Sequence, residues 1–178
     1  MTTDTAPTFK PEAIGEAGEP VEFAVERDRI AAYAAATNDP IAAHASGDLA
    51  PPVFAIVPAF QSLGIASLTV IPRELLGVIL HGEQDFHFHR PIEPQMKLAT
   101  IAAPIGIRQR SSGVTVITRG ETRDQGGELI VEQYMTSFVR GARGPRHRRP
   151  RLPARRARTK SCTARRSIRP PGRGSRRG

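Results

Sequence analysis

The run Thr37-Asn38-Asp39-Pro40-Ile41-Ala42-Ala43-His44 sets a carboxylate and an imidazole five positions apart. Such a pair suits general acid–base chemistry, in which one group takes a proton from water and another returns one to carbon. Each residue also has a plainer reading. Asn-Asp-Pro is a turn signal in which Asp39 could serve as an Asx turn closing a helix, and His44 could be a loop side chain with no task. A second group, His81, Glu83, Asp85, His87 and His89, alternates along one stretch. On a strand these residues share a face, and Glu83, Asp85, His87 and His89 could gather a metal. The competing reading turns Phe86 and Phe88 inward and leaves the imidazoles on a wetter face. No histidine between Pro94 and Arg146 could close a coordination sphere, so no metal is expected.

These side chains need elements to hold them. Residues 1–19, rich in Thr, Pro, Gly and Glu, read as a flexible leader. From Pro20 onward Val21, Phe23 and Val25 alternate with Glu22, Ala24 and Glu26, the period of a half-buried strand. Residues 28–37 place Ile30, Tyr33, Ala34 and Thr37 on one helical face. Residues 38–52 read as a loop, because Asn-Asp-Pro, Ser-Gly-Asp and Pro-Pro are all breakers. From residue 53 to about 68, Phe54, Val57, Phe60, Ile65 and Leu68 fit the stripe of a buried helix, with Gly64 allowing close packing and Pro58 acceptable in the first turn. Four strand-like stretches follow, at 78–90, 97–107, 114–123 and 129–139, separated by turn residues. One strand, helices and then four antiparallel strands predict an α+β domain over residues 20–140, with a curled sheet wrapped around a central helix.

The chain has 178 residues, enough for one domain with a real core. Its net charge of +9 is unevenly spread. All 17 acidic residues lie before position 141, giving residues 1–140 a net −6, whereas residues 141–178 hold 15 Arg and Lys and no acid. The Arg/Pro-rich tail cannot build a core and is expected to be disordered. As an arm for nucleic acid it lacks aromatic side chains to stack bases, so no specific nucleic acid is expected. Its abrupt onset after a strand also fits out-of-frame translation of a GC-rich gene. A single cysteine, Cys162, rules out an internal disulfide framework, and the N-terminus shows no export pattern, which favours a cytoplasmic setting. Pro58, Gln61, Ser62 and Gly64 interrupt the most apolar run, so no membrane span is expected.

The run from Asp39 to His44 resembles the Gly-Asp-x-Asn-Pro-x-His motif of the MaoC-like dehydratases and (R)-specific enoyl-CoA hydratases. The acid and the imidazole match, while Asn38, Ile41 and Ala42 replace the glycine, asparagine and proline. Leu49-Ala50-Pro51-Pro52-Val53-Phe54 is similar to the loop leading into the central helix in the N-terminal halves of two-part members. The segment from His81 to Phe86, with His89-Arg90-Pro91-Ile92, is similar to the strand after that helix. The resemblance implies a hot-dog fold and hydration of 2-enoyl thioesters, or dehydration of 3-hydroxyacyl thioesters, carried on coenzyme A or acyl carrier protein, with no cofactor. It implies Asp39 and His44 as the catalytic pair. Pro52, Val53 and Phe54 would bind substrate at the helix start, where Pro52 has no N–H to offer and Val53 or Phe54 would give one. It also implies pairing as a homodimer or heterodimer with another hot-dog chain. A non-catalytic acyl-binding half that works with a partner subunit is the alternative.

Overall fold

The computed structural model describes residues 7–144; the Arg-rich tail lies outside them except for its first four residues. Strand β1 (Val21–Ala24) is followed by helices α1 (Arg27–Ala36), α2 (Ala42–Ala45) and α3 (Ile56–Val70), then by strands β2 (Ile79–Phe88), β3 (Lys97–Arg110), β4 (Gly113–Asp124) and β5 (Leu129–Arg140). The five strands form one antiparallel sheet in the order β1-β3-β4-β5-β2, open at both edges. Helix α3 lies against β3 and β4.

Small residues draw α3 onto the sheet. Its inward face is Pro58, Ala59, Ser62, Leu63, Ala66, Ser67 and Val70, spaced at the helical period. Gly120 on β4 gives Leu63 its room, since a Cβ there would lie 3.0 Å from a Leu63 methyl. The Ser67 and Thr118 hydroxyls meet at 2.8 Å, and Ser67 also donates to the Leu63 carbonyl at 2.9 Å, so the buried polar atoms are satisfied. This corrects the expected stripe. Phe54 is in the core and Val57 packs against it, but Phe60 is 66% and Ile65 52% exposed, Leu68 is also exposed, and a Cβ on Gly64 would meet nothing. Side-chain size misled the sequence reading, because close approach of helix to sheet selects Ala and Ser and turns the larger residues outward. Pro58 falls in the first turn, as expected.

The segment 52–70, 19 residues with a mean hydropathy of 1.8, is long and apolar enough to cross a membrane by composition, yet its inward face is core. A 3-10 turn, Pro52–Ala55, leads into α3. The described part of the leader packs on the domain. Phe9 and Ala13 are buried against Val70, Ile71 and Ile107, and the Gly15 and Gly18 amides donate to the Pro104 and Ala102 carbonyls at 2.7 and 3.0 Å. It covers the part of the β3 edge that short β1 leaves open.

A β-bulge at Gly82 corrects another expectation. His81 pairs with Ser137 and Glu83 with Thr136, so the extra residue turns His81 to the face opposite Glu83, Asp85 and His87. Among the described residues no three His, Cys, Asp or Glu side chains gather as metal ligands. Phe86 packs against the core, whereas Phe88 is exposed and stacks on Phe86 at 5.8 Å between centroids.

Candidate active site

The site is built where α1 ends. Asn38 adopts φ +53°, the left-handed conformation that asparagine tolerates better than other non-glycine residues, which accounts for its standing at a glycine position. The reversal lets the Asp39 amide donate to the Ala34 carbonyl at 2.9 Å and brings the carboxylate back under the chain. One Asp39 oxygen accepts the Ile41 N–H at 2.9 Å, an Asx turn. The other meets His44 Nδ1 at 2.8 Å. The plain reading and the chemical one therefore hold together, one for each oxygen. The Ile41 amide, and then His44, hold the Asp39 carboxyl below the usual carboxylate range.

His44 sits on the one-turn helix α2, inside the stretch expected to be loop, with its side chain 6% exposed. Helix α2 is held in place from behind. Arg27, at the start of α1, pairs with Asp48 and donates to the Ser46 carbonyl, while the Ser46 hydroxyl donates to Asp48 at 2.6 Å. Between them Gly47 has φ +74°, and a Cβ there would lie 2.3 Å from the Arg27 carbonyl oxygen. Only glycine fits.

Beside His44 opens a cleft of about 370 Å³, walled by Ile41, Leu49, Pro51, Pro52, Phe88 and Ile92, with Arg90 as its cation. Asp39 is not part of the wall. With Nδ1 engaged by Asp39, His44 has Nε2 left for the cleft. The residues named for substrate binding separate. Pro52 lines the cleft; Val53 is exposed; Phe54 is fully buried, edge-on to Tyr33 and Phe23. The Phe54 N–H is donated to the Pro51 carbonyl at 2.9 Å, so of the two amides considered, that of Val53 remains.

Sequence reasoning did not assign roles to Arg90 or to the Arg27–Asp48 clasp. Arg90 follows the end of β2, where its Nη1 donates to Asp124 at 3.2 Å. Its only sequence signal is its place in His89-Arg90-Pro91-Ile92; the clasp has none, because it joins residues 21 positions apart.

A curled antiparallel sheet on one helix, with an acid–imidazole pair at the mouth of an apolar cleft, defines a MaoC-like hot-dog domain. The model of the MFE-2 hydratase 2 N-terminal domain matches residues 44–141, more than half of the chain, and the chain belongs to that family. The match begins at His44 and ends where the basic tail starts. Among curated relatives, a UPF0336 protein of Streptomyces avermitilis is 28% identical over 144 residues, covering 72% of this chain and 93% of the relative. One of Saccharopolyspora erythraea is 29% identical, over 67% of this chain and 83% of its own length. Among solved structures, the C-terminally truncated HadBC (3R-hydroxyacyl-ACP dehydratase) complex of Mycobacterium tuberculosis superposes with a TM-score of 0.58 at 23% identity, covering 72% of this chain and 98% of that one. A MaoC-like dehydratase of Phytophthora capsici gives 0.64 at 18%, over 82% and 55%. These likenesses carry the hot-dog fold expected from the sequence.

Proposed function

We propose that this domain adds water to 2-enoyl thioesters of coenzyme A or acyl carrier protein, or removes it from 3-hydroxyacyl thioesters, as a cytoplasmic step of fatty-acid metabolism. The observation that carries the reading is the 2.8 Å contact between Asp39 and His44 Nδ1 at the edge of an apolar cleft. Asp39 accepts the Nδ1 proton, which fixes the tautomer whose Nε2 is a base. Nε2 then takes a proton from water in the cleft, the hydroxide oxygen bonds to the β-carbon, and the proton passes to the α-carbon on the same face. Asp39 thus holds the imidazole, and His44 handles the proton in both directions.

The test is hydration of crotonyl-CoA, followed by loss of the enoyl absorbance. His44→Ala should lower the rate by about 10²–10⁴-fold. An unchanged rate in His44→Ala would refute the reading.

A second reading has support in the helix start, where Pro52 has no N–H and that of Phe54 is spent on Pro51. In it the domain holds the acyl chain for a partner subunit that carries the chemistry. The HadBC dehydratase is a complex, which supports pairing with a second hot-dog chain. Inactivity of the isolated protein, relieved by a companion chain and untouched by His44→Ala, would favour this reading.

A further inference from the structure

We propose that Arg90 is the electrophile of this cleft: its guanidinium binds the thioester carbonyl oxygen and holds the charge that develops there. The proposal rests on the thioester reading above. Proton transfer at the α- and β-carbons drives negative charge onto the thioester oxygen, and a site for this reaction needs a preorganised donor at that place.

Backbone donors are nearly used up around this cleft. Pro51, Pro52 and Pro91 have no N–H. The Ile41 amide is donated to Asp39, that of Leu49 to Ala43 and that of Ala50 to Ile92, all within 3.1 Å. Those of His44 and Arg90 go to the Ile41 and Ile130 carbonyls. At the helix start the Val53 amide remains, and the Arg90 side chain adds a cationic donor in the cleft wall itself. It carries five N–H donors and gives one nitrogen, Nη1, to Asp124 at 3.2 Å. Asp124, which does not line the cleft, thus holds one nitrogen of a half-exposed guanidinium that has further donors to give.

Arg90 and His44 line the same cavity of about 370 Å³, so an oxygen held by the guanidinium keeps the acyl carbons near the imidazole. A carrier phosphate is the other anion to consider. The pantetheine arm keeps thioester and phosphate many bonds apart, so in one bound ligand Arg90 can serve one of the two and not both.

The decisive experiment uses crotonyl-CoA labelled with ¹³C at its carbonyl and bound to His44→Ala protein, in which chemistry is stopped. The carbonyl resonance should lie downfield of the free ligand, return to the free position when Arg90→Met is added, and keep part of the shift with Arg90→Lys. With His44 intact, Arg90→Met should lower kcat by about 10²–10³-fold, with KM for crotonyl-CoA changed little. A carbonyl shift that survives Arg90→Met overturns the proposal, as does a selective loss of affinity for free coenzyme A, which would assign Arg90 to phosphate. If His44→Ala leaves hydration intact, the hydratase reading fails while the resonance still decides the role of Arg90. If His44→Ala is dead and Arg90→Met turns over normally, only the Arg90 proposal fails.

Discussion

Asp39 and His44 touch, yet their substitutions should behave differently. Both Asp39 oxygens are engaged, one by the Ile41 amide and one by His44. Asp39→Asn keeps the size but can present an N–H to Nδ1, which favours the tautomer with its proton on Nε2. Crotonyl-CoA hydration should fall by about 10²-fold or more from that reversal, as for other imidazoles oriented by a carboxylate. The same carboxylate gives an acid limb to stability. Its folded pKa is depressed, chiefly by the Ile41 amide and then by His44, so the stabilisation is complete above about pH 4, the unfolded value, and is lost as pH falls through the lower folded one. Thermal melts from pH 7 to pH 2 should show wild type above Asp39→Asn at neutral pH and the two converging in acid. A gap that persists unchanged to pH 2 would assign the effect to packing. The spacing of this pair was legible because five residues of turn and one-turn helix are a local matter. Arg90 was not, since its role depends on which strand end the fold brings beside α2.

At the scale of elements, α3 and the turn behind α2 show where local pattern suffices and where it fails. The helix itself was plain in the sequence, and so were the four late strands, because periodicity and breakers are local properties. The face that α3 buries was not plain. Leu63, wedged between α3 and Gly120, is fully buried, so Leu63→Ala should destabilise by about 2–5 kcal/mol. Phe60→Ala, on the outward face, should change the denaturation midpoint of the isolated monomer little. The opposite order would restore the stripe that size alone suggested. Behind α2, Gly47→Ala meets the Arg27 carbonyl and must also hold φ +74°. We expect a loss of about 1–3 kcal/mol and, because α2 carries His44, a fall in kcat larger than any change in KM. Urea titration and steady-state kinetics on the same preparation check both.

The whole molecule leaves two surfaces open, the free edge of β2 and the outward face of α3. Strand β2 ends the sheet, and α3 turns Phe60, Ile65 and Leu68 to solvent, with Leu76 and Leu80 exposed nearby in sequence. Ile65, Leu68 and Leu76 line a single hollow with leader residues Pro7, Lys10 and Glu12, so these apolar residues are not scattered singly. An open strand edge and a helix face of this kind favour covering by another chain. Buried amides tie β2 to the start of α3. Gln84 on β2 donates to Gln133, which donates to the Ala55 carbonyl at 2.8 Å, but the Gln84 Oε1 accepts nothing although it is buried. Sedimentation of the full chain at tens of micromolar should therefore give the mass of a pair. Phe60→Glu should weaken the association at least about tenfold, some 1.4 kcal/mol, without changing the far-ultraviolet circular dichroism, because Phe60 is 66% exposed within one chain. Phe9→Glu, in contrast, lies in a buried cluster and should unfold the leader without separating the pair. A monomeric wild type, unaltered by Phe60→Glu, would refute self-pairing and turn the search toward a different hot-dog chain.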